Sequence, residues 1–237
     1  MPEPTPHAPN DTGLRPADAH SRVEVADIAV RLFQSGGYEA TTATDIAAAA
    51  GVSRSTFFRQ FGSKDDVIFA DHDELLEQIS GYFAQEHADP WLAVCEAAAL
   101  VFERFRERLE VVRMRDLLVR QTVVLRDRET VMVSRYEKVF AAYLRGALPE
   151  INPLTAIRFA AAVTATHNFE LRRLIRGAAG VGPAELAAEL AEVRRLLSPA
   201  AVADDRASDL IVAVFPASAS VEEIARAVQE RLRDAQL

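Results

Sequence analysis

The segment from Ala40 to Lys64, ATTATDIAAAAGVSRSTFFRQFGSK, constrains the fold more than any other part of this sequence. Two short helical patterns, over 44–50 and from Ser53 onward, flank a Gly-Val pair. Gly51 can end the first helix, because glycine adopts the left-handed backbone conformation without steric strain. Ser53 can cap the second helix, since its hydroxyl can accept from the free amides of the first turn. Two short helices joined in this way are typical of the helix-turn-helix, whose second helix enters the major groove of DNA.

Apolar and polar positions within this segment are spaced as a packed helical hairpin requires. Phe57 and Phe61 lie four residues apart, on one face of the second helix. The inward-facing positions around the turn are apolar: Ile46, Ala47, Ala50 and Val52. The remaining polar positions can donate to bases or phosphates: Arg54, Ser55, Thr56 and Arg59. The same spacing also occurs in purely structural hairpins, so the motif alone leaves both interpretations open.

Residues 22–69 resemble the DNA-binding domain of the TetR family of bacterial transcriptional regulators. The residues that carry the resemblance are Val25, Ala29, Leu32, Phe33, Gly37, Tyr38, Thr41, Thr42, Asp45, Ile46, Ala47, Ala50, Gly51, Val52, Ser53, Thr56, Phe61, Ser63 and Lys64. In that family the domain has three helices, and a fourth connects it to a ligand-binding and dimerising body. The resemblance therefore implies an all-α fold of two parts and a homodimer that binds a double-stranded DNA operator.

Carried over position by position, the resemblance implies a set of DNA contacts. Arg54, Ser55 and Thr56 would face base edges, and arginine suits bidentate contact with guanine. Thr42 would contact phosphate at the start of its helix, while Lys64 and Arg22 would pair with backbone phosphates. The complete predicted set is Arg22, Thr42, Ser53, Arg54, Ser55, Thr56, Phe58, Arg59, Gln60 and Lys64. Within it, Arg54 is predicted to determine specificity and Lys64 to determine affinity.

Two features of the segment depart from the family pattern. The family commonly has tyrosines at the positions of Phe58 and Gln60; phenylalanine cannot hydrogen-bond, although it can pack against a sugar or a thymine methyl. Residues 20–70 also contain five Lys and Arg against six Asp and Glu, so they have no basic excess. These departures favour an alternative function: a helical small-molecule or partner-binding protein whose helix-turn-helix is vestigial.

Charge and composition restrict the classes of protein to which the chain can belong. The net charge of −8 over 237 residues excludes a generally basic surface, so DNA affinity has to come from a local patch. One cysteine, Cys95, cannot form an intramolecular disulfide and suits a reducing compartment. No apolar run approaches the roughly 20 residues that span a bilayer. We therefore expect a cytoplasmic protein without membrane contact.

Composition divides the chain into four regions. Residues 1–19 hold five of the eleven prolines and few large apolar side chains, which predicts a disordered leader. Residues 20–69 are the predicted helix-turn-helix domain, and 70–198 the predicted ligand-binding and dimerisation domain. Residues 199–237 form a C-terminal extension with a short β-like segment and a helix. Outside that extension the helical patterns lie at about 21–34, 44–50, 53–61, 63–86, from 89–90 to at least 105, from 110, 128–148, from 152 or 153 to 177, and 183–198.

Wide apolar side chains on the helices of the body are the candidate lining of a small-molecule site. They are Trp91, Phe102, Met114, Tyr136 and Phe140. This lining suggests an apolar or amphipathic effector, with an acyl chain as one candidate, although the same residues also suit an ordinary core. The helix at 63–86, shared by both predicted domains, is the expected lever between effector and DNA.

The last two helical patterns of the body are the candidate dimer interface. In the family the corresponding pair meets its copy as a four-helix bundle; the alternative is an internal core pair. The predicted interface residues are Ile157, Ala161, Thr164, Asn168, Leu171, Leu186, Leu190 and Val193. His167 next to Asn168 is interpreted as an interface hydrogen bond, with a polar contact to a ligand as the other possibility.

Residue patterns that carry catalysis do not occur in the sequence. The histidines are scattered, at positions 7, 20, 72, 87 and 167, and none forms a metal-binding pair such as HExxH. There is neither a Gly-rich phosphate loop nor a nucleophile elbow. His72, among Asp71, Asp73 and Glu74, is interpreted as part of a solvated acidic turn. No enzyme activity, catalytic residue, metal site or cofactor is predicted. The expected function is that of a ligand-responsive transcriptional regulator: a repressor that releases its palindromic operator when it binds a small molecule.

Overall fold

A computed structural model describes residues 21–198 of the chain. The predicted leader at 1–19 and the extension at 199–237 lie outside the described residues. Within them there are ten helices and no strand, which confirms the all-α prediction. The helices are α1 Arg22–Gly36, α2 Ala43–Ala49, α3 Arg54–Phe61, α4 Lys64–Val67, α5 Ala70–Phe83, α6 Pro90–Glu107, α7 Leu109–Gln121, α8 Val123–Ala147, α9 Pro153–Ile175 and α10 Pro183–Leu197.

Side-chain caps explain why several of these helices begin where they do. Ser21 and Glu24 form a capping box: the Ser21 hydroxyl accepts from the Glu24 amide at 3.2 Å, and the Glu24 carboxylate accepts from the Ser21 amide at 2.6 Å. Asp89 and Asn152 cap α6 and α9. Each is followed by proline, whose missing N–H is not needed in the first turn. These boundaries therefore follow from local sequence.

The helix predicted at 63–86 is divided in the structure. α4 ends at Val67 and α5 begins at Ala70, with Ile68 and Phe69 buried between them. Burial of these two large side chains stabilises the bend, although neither residue breaks helices by itself. The predicted lever is thus two helices. A second difference is the start of α8 at Val123, five residues before the predicted position at 128.

Buried apolar side chains form two clusters. The N-terminal cluster joins α1–α4 to one face of α7 and the start of α8, through Val111, Leu118, Val119 and Leu125. The body cluster joins α5, α6, α8, α9 and α10, with Val112 from α7. Because α7 contributes to both clusters, a displacement of α7 acts directly on the packing of α1–α4. Within residues 21–198 no helix is long and apolar enough to cross a bilayer.

Candidate nucleic-acid interface and effector cavity

The turn between α2 and α3 has the predicted helix-turn-helix geometry. Gly51 has a φ of +63°, in the left-handed region that favours glycine. The amide of Val52 donates to the carbonyl of Ala47 at 3.0 Å, which closes the turn. The Ser53 hydroxyl accepts from the Thr56 amide at 3.1 Å and so caps α3. The prediction made from the sequence of this turn is confirmed.

α3 presents one apolar face inward and one polar face outward. Phe57 and Phe61 are buried, with ring centroids 5.1 Å apart. Arg54, Ser55 and Arg59 are exposed on the outer face. Phe58 is also exposed, and the Arg54 guanidinium lies over its ring at 5.5 Å. Neither Arg54 nor Arg59 forms an ion pair among the residues that the structure describes, so both charges are available to an anion.

Hydroxyl groups near α2 and α3 are already engaged in caps. Thr42 donates to an Asp45 carboxylate oxygen at 2.7 Å and accepts from the Asp45 amide at 3.2 Å. The Thr42 amide also donates to that carboxylate, at 2.8 Å. A phosphate at this helix start would therefore compete with Asp45, whose pKa is lowered by the hydrogen bonds from Thr42. On α3, the Ser53 hydroxyl donates to that of Thr56 at 2.9 Å. The predicted contact at Thr42 is hindered by its own neighbour.

Lys64 and Arg22, the predicted phosphate contacts outside α3, are held by intramolecular partners. The Lys64 ammonium donates to the carbonyls of Tyr38 at 2.9 Å and Thr41 at 3.3 Å. Arg22 pairs with Asp73 at 3.0 Å. Lys64 thus ties α4 to the loop before α2, and Arg22 ties α1 to α5. Their contacts with DNA remain predictions, and each of these side chains also has a structural role.

A cavity of about 80 Å³ lies among α5–α9 in the helical body. Of the five predicted lining residues, only Tyr136 and Phe140 line it. The other three do not line it, because each fills a core position. Phe102 is fully buried in the body cluster, Trp91 packs edge-on against the ring of Phe159 at 4.8 Å, and Met114 packs against the N-terminal cluster.

His72 lies in the wall of this cavity. The sequence had predicted a solvated acidic turn at this position. Its Nδ1 lies 3.1 Å from the Tyr136 hydroxyl, and its ring packs against Phe105 at 5.1 Å. Burial lowers the pKa of His72 to about 4, so the ring is neutral at neutral pH. The described residues contain no group of three or more His, Cys, Asp or Glu that could hold a metal ion.

A chain of ion pairs links the cavity wall to α1. Arg115 lines the cavity and donates to both Asp71 carboxylate oxygens at 2.7 Å and to the Ile68 carbonyl at 3.1 Å. Arg108 donates to Asp71 at 3.2 Å and also to Asp27 of α1. Asp71 and Arg115 are almost completely buried. Sequence reasoning missed this network, because its members come from α1, α5 and α7 and share no local motif.

Two polar side chains of α9 complete the cavity. Thr164 is 4% exposed and His167 is 7% exposed, and both line the cavity. His167 Nδ1 lies 3.2 Å from the Asn168 side-chain oxygen. Among the described residues, Thr164 Oγ1 and His167 Nε2 have no hydrogen-bond partner. Thr164 and His167, for which dimer contacts are predicted, are buried against the cavity of their own chain, and Asn168 lines the same cavity.

The predicted dimer surface is only partly available on the outside of the molecule. Leu186 and Leu190 are buried in the body cluster and contribute no exposed surface. Leu171 and Val193 are partly buried against the same cluster. Ala161 is half-buried, and Ile157 is 49% exposed. The apolar side chains exposed on α9 are Leu154, Ile157 and Phe169.

Comparison with known proteins identifies the N-terminal helices. Residues 26–70 match the family described as bacterial regulatory proteins, tetR family. MftR of Mycobacterium tuberculosis, whose name assigns it to the transcriptional regulation of mycofactocin biosynthesis, is 30% identical over 125 residues. That match covers 51% of this chain and 62% of MftR, so the chain spans less than two thirds of this curated relative.

Solved structures share the fold. A TetR-family protein from Syntrophomonas wolfei superposes with a TM-score of 0.55 at 16% identity, over 81% of this chain and 97% of that one. The fatty acid degradation regulator FadR from Bacillus halodurans gives a TM-score of 0.50 at 18% identity, over 76% and 96% of the two chains. These likenesses show that the chain shares its helical fold with those proteins, and residues 26–70, which contain the capped turn before α3, are similar to the tetR family of bacterial regulatory proteins.

Proposed function

We propose that this chain is a ligand-responsive transcriptional regulator, a repressor that binds a palindromic DNA operator as a homodimer in the cytoplasm. The outward polar face of α3, held from behind by Phe57 and Phe61, carries the proposal. Arg54 stands in the first turn of α3, where recognition helices contact base edges. Arg59 is exposed one turn later and is suited to phosphate.

A homodimer fits this mode of DNA binding. Two copies of α3 can read two half-sites about one turn of DNA apart only if the subunits are related by twofold symmetry. The exposed apolar side chains of α9 supply a candidate surface for this contact, with Ile157 near its start. Two copies of α9 and α10 would then form a four-helix bundle in which Ile157 is buried.

Ile157→Asp is therefore expected to convert the dimer to a monomer at micromolar concentration, because an unpaired carboxylate would have to be buried in the interface. Light scattering after size exclusion measures the change. Leu117→Asp is the matched control: Leu117 is 43% exposed on α7, outside the proposed surface, and its replacement should leave the dimer intact. A dimer that survives Ile157→Asp would place the interface elsewhere.

The effector is proposed to act through α7. The cavity of about 80 Å³ is smaller than the roughly 300–1,000 Å³ of typical ligand sites, so a ligand of ordinary size has to push helices apart. Val119 of α7 both lines the cavity and belongs to the N-terminal cluster. Arg115, also on α7, joins the cavity to α1 through Asp71 and Arg108. A ligand that favours the displaced position of α7 would favour the arrangement of α3 that cannot bind the operator.

Fluorescence anisotropy with the intergenic duplex upstream of the gene tests the proposal. We expect specific binding with a shallow salt dependence: about two to four phosphates neutralised per dimer give a slope of log K against log salt of roughly −2 to −4. The slope is shallow because residues 20–70 hold only five Lys and Arg, of which Arg22 pairs with Asp73 and Lys64 is held by backbone carbonyls. A scrambled duplex of equal length is the control. No binding at micromolar protein and low salt would favour the alternative, a helical ligand-binding protein with a vestigial helix-turn-helix.

A further inference from the structure

We infer that the cavity among α5–α9 binds an uncharged ligand through a hydroxyl group held between Thr164 and His167. The inference rests on the proposed function only in taking this ligand as the effector. It goes further by naming the chemical group that the site recognises and the side of the cavity where that group binds.

The two side chains hold polar atoms in the protein interior without using them. Thr164 Oγ1 and His167 Nε2 are buried and lack a hydrogen-bond partner among the described residues. Buried polar groups in folded proteins are nearly always hydrogen-bonded, because leaving one unpaired destabilises the fold. Residues three apart on a helix lie on the same face, and both of these line the cavity. A ligand that widens the cavity, as one of ordinary size has to, can therefore reach both atoms at once.

The hydrogen-bonding roles of the two atoms select the ligand group. His167 Nδ1 faces the side-chain oxygen of Asn168, and an amide oxygen can only accept. Nδ1 therefore carries the proton, and Nε2 of the neutral ring is an acceptor. The Thr164 hydroxyl can donate to an oxygen of the ligand. A single ligand hydroxyl satisfies both: its hydrogen is donated to His167 Nε2 while its oxygen accepts from Thr164.

The surrounding charges disfavour an ionised group at this position. The Arg115 guanidinium is committed to both oxygens of Asp71. Asp116, another residue of the lining, pairs with Arg120 at 2.6 Å. A carboxylate placed between Thr164 and His167 would face the lone pair of Nε2, and the remaining cation of the lining, Arg172, acts electrostatically on Glu129 of the same lining. The neighbouring side chains include Phe105 and Val101, which suit the apolar part of a ligand.

The test measures binding to the full chain, without DNA, of three fluorinated probes of similar shape by ¹⁹F NMR: 4-fluorophenol, 4-fluorotoluene and 4-fluorobenzoate. We expect 4-fluorophenol to bind at least about tenfold more tightly than the other two, as one added pair of good hydrogen bonds allows. Thr164→Val and His167→Phe should each remove most of this preference and leave the affinity for 4-fluorotoluene unchanged. Thr166→Val, on the same helix but outside the lining, is the matched control and should behave as wild type.

Thermal unfolding of the free proteins separates the proposed role from a structural one. Thr164→Val removes a hydroxyl that has no partner, so it should leave Tm unchanged or raise it. A fall of more than about 3 °C would mean that the hydroxyl is already bonded in the free protein, and this would overturn the inference. Tighter binding of 4-fluorobenzoate than of 4-fluorophenol, or a phenol preference that survives both substitutions, would overturn it as well.

Operator binding is measured separately, by the anisotropy experiment, so the two failures are distinguishable. If the duplex binds but the phenol preference is missing, the assignment of the ligand group is wrong and the regulator stands. If the preference is present but no duplex binds, the cavity site stands and the proposed function falls.

Discussion

Asp71→Asn is expected to lower the free energy of unfolding by about 3–5 kcal/mol, as found when one partner is removed from a buried ion pair. Asp71 is 3% exposed and holds Arg115, which is 8% exposed, together with Arg108. Without the carboxylate charge, the Arg115 guanidinium stays buried and uncompensated. Urea denaturation gives the change directly, and the corresponding fall in Tm is roughly 6–20 °C.

Asp73→Asn is the matched control two residues away on the same helix. Asp73 also pairs with two arginines, Arg22 at 3.0 Å and Arg135 at 2.7 Å. All three side chains are more than a third exposed: Asp73 is 35% exposed, Arg22 43% and Arg135 41%. Exposed pairs contribute about 0–1 kcal/mol, so this substitution should have a small effect. If the two substitutions lowered the free energy of unfolding equally, the greater burial of the Asp71 ion pair would not explain its contribution to stability.

The difference between wild type and Asp71→Asn should also depend on pH. Burial alone would raise the pKa of Asp71, but the charge of Arg115, its hydrogen bond and the charge of Arg108 outweigh burial and hold that pKa below its usual value. A carboxyl whose pKa is depressed by folding stabilises the fold above its unfolded pKa, about 3.9, and loses this contribution as pH falls through the folded pKa. The difference should therefore be constant near neutral pH and shrink below about pH 4. His167 titrates alike in both proteins, so its contribution cancels. His72 lies beside Asp71, whose charge raises the pKa of His72 against the effect of burial, so His72 adds to the difference only below its folded pKa of about 4.

The helix-turn-helix part of the molecule could be predicted from the sequence because its signals are local. Gly51, Ser53 and Phe57 lie within seven residues of one another, and each acts on the turn or helix in which it stands. The family resemblance added the order of helices on either side. The bend at Ile68 and Phe69 escaped prediction, because it depends on burial of two apolar side chains and neither residue is a helix breaker.

The cavity could not be predicted in the same way. Trp91 and Phe102 were candidates for the lining of the ligand site because their side chains are large and apolar. Such side chains fill a hydrophobic core equally well, and both lie in the core. The polar residues that do line the cavity come from different helices: His72 from α5, Arg115 from α7 and His167 from α9. Only tertiary contacts bring them together. The partner of the apolar face of α10 could not be predicted for a related reason. The helical period shows that one face is buried, but not whether α6, α9 or a second subunit covers it.

Arg54→Ala is expected to weaken operator binding by about 2–6 kcal/mol per dimer, or roughly 30-fold to 10⁴-fold. One bidentate contact between arginine and guanine contributes about 1–3 kcal/mol to discrimination, and a symmetric dimer makes it twice. Arg54 is free for this contact, because its guanidinium rests on the Phe58 ring and on no carboxylate among the described residues. Binding to a scrambled duplex should fall only a few-fold. Anisotropy titrations with the two duplexes measure both effects.

Arg54→Lys separates base recognition from charge. Lysine keeps the positive charge but lacks the planar fork, so it should retain binding to the scrambled duplex and lose most of the preference for the operator. Lys64→Ala gives the opposite contrast: it should weaken both duplexes alike and reduce the salt slope by about one unit for each phosphate that Lys64 neutralises. Because Lys64 also holds the carbonyls of Tyr38 and Thr41, the Tm of this variant has to be measured beside its affinity.

Equal losses on operator and scrambled DNA for Arg54→Ala would assign Arg54 to a phosphate and leave specificity to another residue of α3. The exposed Arg59, which also forms no ion pair within residues 21–198, would then be the next candidate. Arg31→Ala is the control for a simple loss of charge, since Arg31 is exposed on α1 outside the predicted contact set. If Arg31→Ala weakened operator binding as much as Arg54→Ala, the effect would come from the net charge of the domain and not from contacts made by α3.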